Sequence, residues 1–252
     1  MTELNHVRKG AGEPLLLIHP LGGELVVWEP VLDALAERRD VIAVDLPGFG
    51  GSPAFSNGTP PTPQALAASL AAFLDELGIE RAHLGGNSLG GWVALELAKL
   101  GRAHSVVTLS AAGFWKRPLG PRPTPIRRIG RALLPVVPLI ARSARGRRAL
   151  LRGNMVHPER VPPRSAARLV RAYITAPGYD AANAAMRAAV FDGIEEISEP
   201  VTLAWAERDR VVSRPERTPA GVRTVVLRGC GHVPTWDDPA QVVDVLLGAP
   251  AS

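Results

Sequence analysis

The chain has 252 residues, of which 46% are hydrophobic and 21% are charged, which suits one large folded domain and excludes a disordered or coiled-coil chain. Its single cysteine, Cys230, excludes an internal disulfide and a cysteine-based zinc or iron–sulfur site. The sequence shows neither a signal-peptide pattern nor an apolar run of the ~20 residues that cross a bilayer, so we expect a cytoplasmic protein.

The charge is distributed unevenly along the chain. The whole chain has a net charge of +5, but residues 114–190 contain 16 basic and only two acidic residues, Glu159 and Asp180. This stretch therefore has a charge of +14, whereas the rest of the chain, with 13 basic and 22 acidic residues, has a charge of −9. An asymmetry of this size predicts a boundary between two parts of the chain.

Short apolar runs that end in glycine- or proline-containing turns predict buried strands, and they alternate with helical patterns. The predicted strands are 15–18, 41–44, 81–85, 106–109, 201–205 and 224–227, and the predicted helices are 28–37, 62–77, 89–100 and 240–247. Strands that are apolar throughout need both faces covered. The fold class is therefore predicted to be α/β, with a mostly parallel central sheet flanked by helices.

The basic stretch interrupts this alternation. It contains helical pieces at 127–134, 165–176 and 181–190, broken by many prolines. We expect a core formed by 1–113 and 191–252, and a basic, proline-rich helical cap over 114–190. The apolar run 133–140 within it could line an acyl pocket or pack the cap onto the sheet.

Residues 86–90, Gly86-Asn87-Ser88-Leu89-Gly90, fit the pattern G-x-S-x-G between a predicted strand and a predicted helix. A sharp turn there would hold Ser88 in a strained conformation, and the glycines on either side would supply the room for it. The hydroxyl would then lie at the carboxyl edge of the sheet, beside a helix N-terminus that favours negative charge. Ser88 is therefore the candidate nucleophile.

A serine hydroxyl needs an adjacent base, and the base needs a carboxylate to orient it. Among six histidines, His232 is the candidate base because it follows the last predicted strand in a glycine-containing loop, where parallel sheets place their chemistry. Asp209 and Glu207 both follow the strand at 201–205, and their neighbours do not tell the two carboxylates apart. His6 and His104 are expected in irregular segments.

These motifs together resemble the α/β-hydrolase superfamily. The matching stretches, in the order of that superfamily, are HPLGG at 19–23, DLPGFGGS at 45–52, GNSLGG at 86–91, WAERD at 205–209 and GCGH at 229–232. They cover nearly the whole chain outside the basic stretch. The resemblance implies a Ser-His-Asp triad with Asp209 as the acid.

The resemblance also implies that the backbone N–H groups of Leu21 and Leu89 form an oxyanion hole. The sequence contains no cofactor motif, so neither a cofactor nor a metal is expected. Two positions depart from the family pattern, since Pro20 and Ala206 stand where glycine is usual. Proline cannot donate a backbone N–H, which favours Leu21 as the donor.

The expected function is hydrolysis of carboxylic esters of small or medium acyl chains through an acyl-enzyme. The alternatives are a carbon–carbon hydrolase of ring-cleavage diketones, which Asn87 before the serine suggests, and a cofactor-free haloperoxidase or perhydrolase with the same triad. A non-catalytic binding module ranks last because all three triad residues are present. An epoxide or haloalkane hydrolase is disfavoured, since those enzymes have a carboxylate where this chain has Ser88.

The expected partner is a small-molecule ester. Aromatic residues are sparse in the basic stretch, so nucleic acid is not expected. Contact with an anionic membrane surface through this stretch is possible but not favoured.

Overall fold

A seven-stranded sheet runs through the computed structural model, which describes residues 4–56, 58–122, 124–216 and 221–248. The strands are β1 His6–Lys9, β2 Pro14–Ile18, β3 Asp40–Val44, β4 Ala82–Asn87, β5 Ala103–Leu109, β6 Val201–Ala206 and β7 Arg223–Leu227. Their order across the sheet is β1-β3-β2-β4-β5-β6-β7, and every pairing except β1 with β3 is parallel. The predicted fold class is confirmed.

The central strands are apolar because both sheet faces are covered. In β2, Leu16 and Ile18 point into one hydrophobic cluster, and Leu15 and Leu17 point into another on the opposite face. All four residues are buried. This two-sided burial explains why the strand reads as a continuous apolar run rather than an alternating one.

The edge strand β1 was not expected, since the sequence around His6 has no apolar run. It pairs antiparallel with β3, and Arg8 forms an ion pair with Asp40 at 2.6 Å. Three of its four residues are exposed. An edge strand needs no buried face, so its sequence lacks the signal that identifies the central strands.

Helices cover the sheet and fill the long connection between β5 and β6. They are α1 Leu32–Ala36, α2 Pro63–Glu76, α3 Leu89–Lys99, α4 Pro125–Leu133, α5 Val137–Ala141, α6 Ala144–Leu150, α7 Pro163–Thr175, α8 Tyr179–Arg187 and α9 Pro239–Leu246. Short 3₁₀ turns occupy Leu25–Trp28, Leu134–Val136, Pro158–Arg160, Ile194–Glu196 and Pro234–Trp236. The predicted helix over 28–37 is wrong: Pro30 separates a 3₁₀ turn from the five-residue α1.

We call residues 114–190 the basic segment. Its helices α4 to α8 lie between β5 and β6 in the chain. A separate hydrophobic cluster joins α5 and α7 to the 3₁₀ turn at Leu25–Trp28 and to Val233, the residue after His232. The basic segment therefore packs beside the loop that contains the candidate base.

Arg127 fixes α4 to the rest of the basic segment. Its guanidinium is buried, donates to the carbonyl oxygens of Tyr173, Ile174 and Ala176, and forms an ion pair with Asp180 at 2.8 Å. It also lies 4.3 Å from the centre of the Tyr179 ring. A buried charge is tolerated here because every face of it is met by an acceptor or an aromatic ring.

Candidate active site

Ser88 occupies a tight turn between β4 and α3. Its backbone angles, φ 55° and ψ −115°, lie in a strained region that side-chain-bearing residues seldom adopt. A Cβ atom on Gly86 would lie 2.2 Å from the carbonyl oxygen of Gly90, and one on Gly90 would lie 2.1 Å from that of Ile18. Only glycine fits at either position, so the G-x-S-x-G pattern has the steric origin predicted from the sequence.

The turn leaves the Ser88 hydroxyl free. Ser88 as a whole is 5% exposed, but within the described part of the chain its hydroxyl makes no hydrogen bond and is not among the polar atoms sealed from solvent. The hydroxyl sits where α3 begins, next to amides that have no carbonyl partner within the helix. A serine in a strained turn with a solvent-accessible hydroxyl can meet a substrate, and a base that approaches it can activate it.

His232 and Asp209 form a direct hydrogen bond. The ring nitrogen Nδ1 of His232 lies 2.8 Å from Oδ2 of Asp209, and both side chains are about 5% exposed. Glu207, the competing carboxylate, accepts instead from the backbone N–H of Gly229 and stays exposed. The structure thus places Asp209, and not Glu207, on the histidine ring.

The Asp209 carboxylate is held in its charged form. Burial acts to raise its pKa, but the hydrogen bond and charge of His232, together with the N–H groups of Val211 and Val212, outweigh burial and lower the pKa. Those two amides lie 2.7 and 3.0 Å from Oδ1. An ionised carboxylate on Nδ1 leaves Nε2 as the ring nitrogen that can accept a proton.

Asn87 links the serine turn to the histidine loop. Its side-chain amide donates to the carbonyl oxygens of Leu109, 2.8 Å away, and His232, 2.9 Å away. The backbone of the candidate base is thereby tied to the residue preceding the candidate nucleophile. No hydrogen bond joins the Ser88 hydroxyl to the His232 ring in the described residues, and such contacts are often loose without substrate.

The two predicted oxyanion donors have free backbone N–H groups. Neither Leu21 nor Leu89 donates a backbone hydrogen bond in the part of the chain that the structure describes. Leu89 is the first residue of α3, and Leu21 lies in a turn closed by the Gly23 N–H on the Pro20 carbonyl oxygen at 2.8 Å. Neither amide thus has a protein partner in the described residues, and their role as oxyanion donors stays a prediction.

His19 shapes the turn that contains Leu21, a role that the sequence did not reveal. Its Nε2 accepts from the Leu46 N–H at 3.0 Å, so the proton is on Nδ1, which donates to the Pro20 carbonyl oxygen at 2.8 Å. The ring is fully buried, and burial lowers its pKa. A neutral His19 therefore positions the turn. The sequence feature that could have indicated this role is the position of His19 at the end of an apolar strand.

Asp237 is a second residue whose place in the site was not predicted from the sequence. Its buried carboxylate accepts from the N–H groups of Gly231, Val156 and His157 at 2.7–3.0 Å. These bonds tie the residue before His232 to the basic segment. Asp237 therefore holds the candidate base loop and the basic segment in one arrangement.

An apolar cavity of about 420 Å³ lies between the core loops and the basic segment. Leu21 and His232 line it from the core, and Ile126, Leu133, Val137 and Leu169 line it from α4, α5 and α7. Its volume suits a small ligand. The run 133–140 thus contributes to the cavity through Leu133 and Val137. No group of three or more potential metal-ligating side chains occurs among the described residues.

The sheet order and the serine on a strand-to-helix turn define a class of hydrolases built on this fold. Within that class the chain belongs to the alpha/beta hydrolase family, whose family model matches residues 15–245. The predicted superfamily is therefore confirmed.

Similar proteins differ in their names. A Mycobacterium tuberculosis protein named epoxide hydrolase EphH is 34% identical over 69% of this chain and 87% of its own length. A Cupriavidus necator dihydrolipoyllysine-residue acetyltransferase component of an acetoin cleaving system is 45% identical over 44% of this chain, but the match spans only 30% of that protein. The two names give different activities, so they fix no substrate for this chain.

Among solved structures, a thermophilic esterase from Thermogutta terrifontis superimposes with a TM-score of 0.74 and 24% identity, covering 98% of this chain and 92% of its own. This likeness shows a shared fold. No described helix of this chain is long and apolar enough to span a membrane.

Proposed function

We propose that the protein is a serine hydrolase that cleaves carboxylic esters of small or medium acyl chains. The observation that carries the proposal is the 2.8 Å bond between His232 and Asp209, in a loop tied through Asn87 to the strained Ser88 turn. Ser88, Asp209 and His232 are groups of the types that acyl transfer needs, and each follows the carboxyl end of a parallel strand, β4, β6 and β7 in turn, which supports the proposal.

In the proposed mechanism the Ser88 oxygen attacks the ester carbonyl while Nε2 of His232 takes its proton. Asp209 holds the ring through Nδ1 and stabilises the imidazolium that forms. The backbone N–H groups of Leu21 and Leu89 donate to the oxyanion. His232 then protonates the leaving alcohol, and water activated by the same ring releases the acid from the acyl-enzyme.

The cavity supports the proposed acyl size. At about 420 Å³, with aliphatic walls, it suits an apolar acyl group and places that group between His232 and the basic segment. We propose that the basic segment is the cap over this site, with the boundaries 114 and 190 expected from the sequence. Cys230 is no rival nucleophile, since burial raises its pKa to about 12.

The alternative functions use the same catalytic residues but a different reaction. A carbon–carbon hydrolase and a perhydrolase remain second to the esterase because no observation favours them beyond the shared triad. The relative named epoxide hydrolase does not move the proposal toward oxirane opening, because this chain has a hydroxyl at the turn, where the expected nucleophile for that chemistry is a carboxylate.

The test compares p-nitrophenyl acetate and butyrate turnover by the wild type, Ser88→Ala and Ser213→Ala, the last being an exposed serine outside the site. We expect Ser88→Ala to lose at least about 10⁴-fold in kcat and Ser213→Ala to match the wild type. A fluorophosphonate probe should label the wild type and Ser213→Ala alone. Equal rates and labelling in all three proteins would end the proposal.

A further inference from the structure

Large apolar side chains on the surface are concentrated in one part of the basic segment. Of the ten described large hydrophobic residues that are exposed, six lie between residues 126 and 140, and Leu139 is 66% exposed. We call these six the apolar ridge: Ile126, Ile129, Leu133, Val136, Leu139 and Ile140. Scattered exposed apolar side chains are ordinary, whereas a contiguous group marks an interaction surface.

The ridge is a fixed feature of the fold. Ile126, Ile129 and Leu133 are spaced to share one face of α4, and the chain continues through a 3₁₀ turn to α5. The side of α4 next to these residues is packed, since Arg127 is buried and a Cβ atom on Gly130 would lie 2.7 Å from the Ile174 side chain. The ridge side chains of α4 are therefore exposed while the helix is docked through Arg127 and Gly130.

Positive charge surrounds the ridge. Arg128, Arg131, Arg142 and Arg145 are exposed, and none of these four side chains has an ion-pair partner among the described residues. The sequence from residue 126 to 145 contains no acidic residue. Apolar side chains flanked by unpaired arginines match the composition of helices that lie in the surface of an anionic bilayer.

We propose that the apolar ridge docks on the surface of an anionic phospholipid bilayer, with the six side chains in the lipid and the arginines at the headgroups. Pairing of the ridge with the same ridge on a second copy would bring two basic segments of +14 together, and like charges oppose that contact. The four other exposed large apolar residues, Val7, Leu100, Val211 and Val226, come from separate parts of the core and offer no matching strip.

Docking in this orientation would place lipid next to the apolar cavity. Ile126 and Leu133 belong to the ridge and also line the cavity, which Leu21 and His232 line as well. The ridge and the site thus share the lining of one cavity. The proposal goes beyond the ester hydrolase and does not depend on it, because docking needs neither Ser88 nor His232.

The experiment is vesicle co-sedimentation of the full chain. Vesicles of phosphatidylcholine alone are compared with vesicles that contain phosphatidylserine as well, at low and high salt. We expect the wild type to bind the anionic vesicles at least about tenfold more strongly than the neutral ones, and binding to weaken as salt screens the charges. Ser88→Ala should bind as the wild type does, which separates docking from catalysis.

Two pairs of variants locate the binding surface. Ile129→Ser/Leu139→Ser removes ridge side chains, and Leu100→Ser/Val226→Ser removes exposed apolar side chains from the core. Arg128→Gln/Arg131→Gln removes charge beside the ridge, and Arg38→Gln/Arg228→Gln removes the same charge from the core. We expect about tenfold weaker binding for each ridge variant and wild-type binding for each core variant.

The proposal is wrong if the wild type does not prefer anionic vesicles. It is also wrong if the ridge variants and the core variants lose binding equally. Concentration-dependent dimerisation in sedimentation equilibrium that Ile129→Ser/Leu139→Ser abolishes, with no vesicle binding, would assign the ridge to a second copy of the chain instead. Circular dichroism of each variant confirms that the exposed substitutions leave the fold intact.

Discussion

The core and the basic segment differ in how far they expose large apolar side chains to solvent. The core has a charge of −9 and buries its strands on both faces of the sheet. The basic segment has a charge of +14 and exposes six large apolar side chains within fifteen residues. The core thus removes most of its large apolar side chains from water, whereas the basic segment exposes a group of them to solvent.

The chemistry and its surroundings divide along the same line. Ser88, Asp209 and His232 all lie outside the basic segment, as do Asn87, which ties the His232 loop to the Ser88 turn, and His19, which shapes the Leu21 turn. The basic segment supplies most of the apolar lining of the cavity and the amides that Asp237 binds. If the proposed function holds, reactivity and substrate access are set by different parts of the chain, and the two can be tested separately.

We expect the largest difference in activity between a variant of a core histidine and a variant of a histidine in the basic segment. His232→Ala removes the proposed base and should lower kcat/KM for p-nitrophenyl butyrate by at least about 10⁴-fold. His157→Ala, whose ring meets only Glu159, should leave kcat/KM unchanged. A large loss in both variants would mean that the basic segment takes part in the chemistry.

Stability should follow the same division. Leu70, on α2, is fully buried, so Leu70→Ala should lower the free energy of unfolding by about 2–5 kcal/mol. Leu139 belongs to the ridge, and Leu139→Ala should change the free energy by no more than about 0.5 kcal/mol. Urea denaturation of both variants measures this. Similar losses would show that the ridge is covered in solution.

Asp237 joins the two regions, and its substitution should have an intermediate effect. Asp237→Asn weakens the carboxylate's bonds to Gly231, Val156 and His157, which should reduce stability by about 1–3 kcal/mol. We also expect kcat to fall more than KM rises, because the His232 loop shifts. The matched control is Asp238→Asn, since asparagine can still cap α9 at that position. If both variants behave as the wild type does, Asp237 is not a positioning residue.

The smallest expected effect is the acid dependence of stability at Asp209. Because its pKa is lowered in the folded protein, the carboxylate contributes stability that is present above its ordinary value of 3.8 and lost as pH falls through the folded pKa. Asp209→Asn should therefore be less stable than the wild type at neutral pH, and the difference should narrow below pH 3.8. Urea unfolding across this range provides the measurement, and a difference that stays constant would contradict it.

The sequence predicted those features whose physical causes are local. The inner strands β2 to β6 could be found because burial on both faces leaves continuous apolar runs, whereas β7 is an edge strand with Val226 exposed. The Ser88 turn could be found because its geometry admits only glycine at 86 and 90. His104, expected in a loop, lies in β5 as an exposed residue. Strand β1 was missed for a similar reason, since an exposed edge leaves no apolar pattern.

Other features depend on contacts that a sequence does not contain. Asp209 and Glu207 stand two residues apart, and only the turn decides which one reaches the His232 ring. The helices α5 and α6 are short. Contacts of α5 with α7, and of α6 with the 3₁₀ turn at Pro158–Arg160, help to stabilise them. An apolar run such as 133–140 reads the same whether it is packed or exposed, so the ridge became visible only in three dimensions.

The buried guanidinium of Arg127 affects the rate at which the ridge would bind a bilayer. Because it pins α4 to the carbonyl groups at 173, 174 and 176, the ridge is already ordered before any encounter, and no folding step has to precede contact. Association would then be limited by diffusion and electrostatic attraction alone, and loosening this anchor would slow capture without changing a single surface side chain.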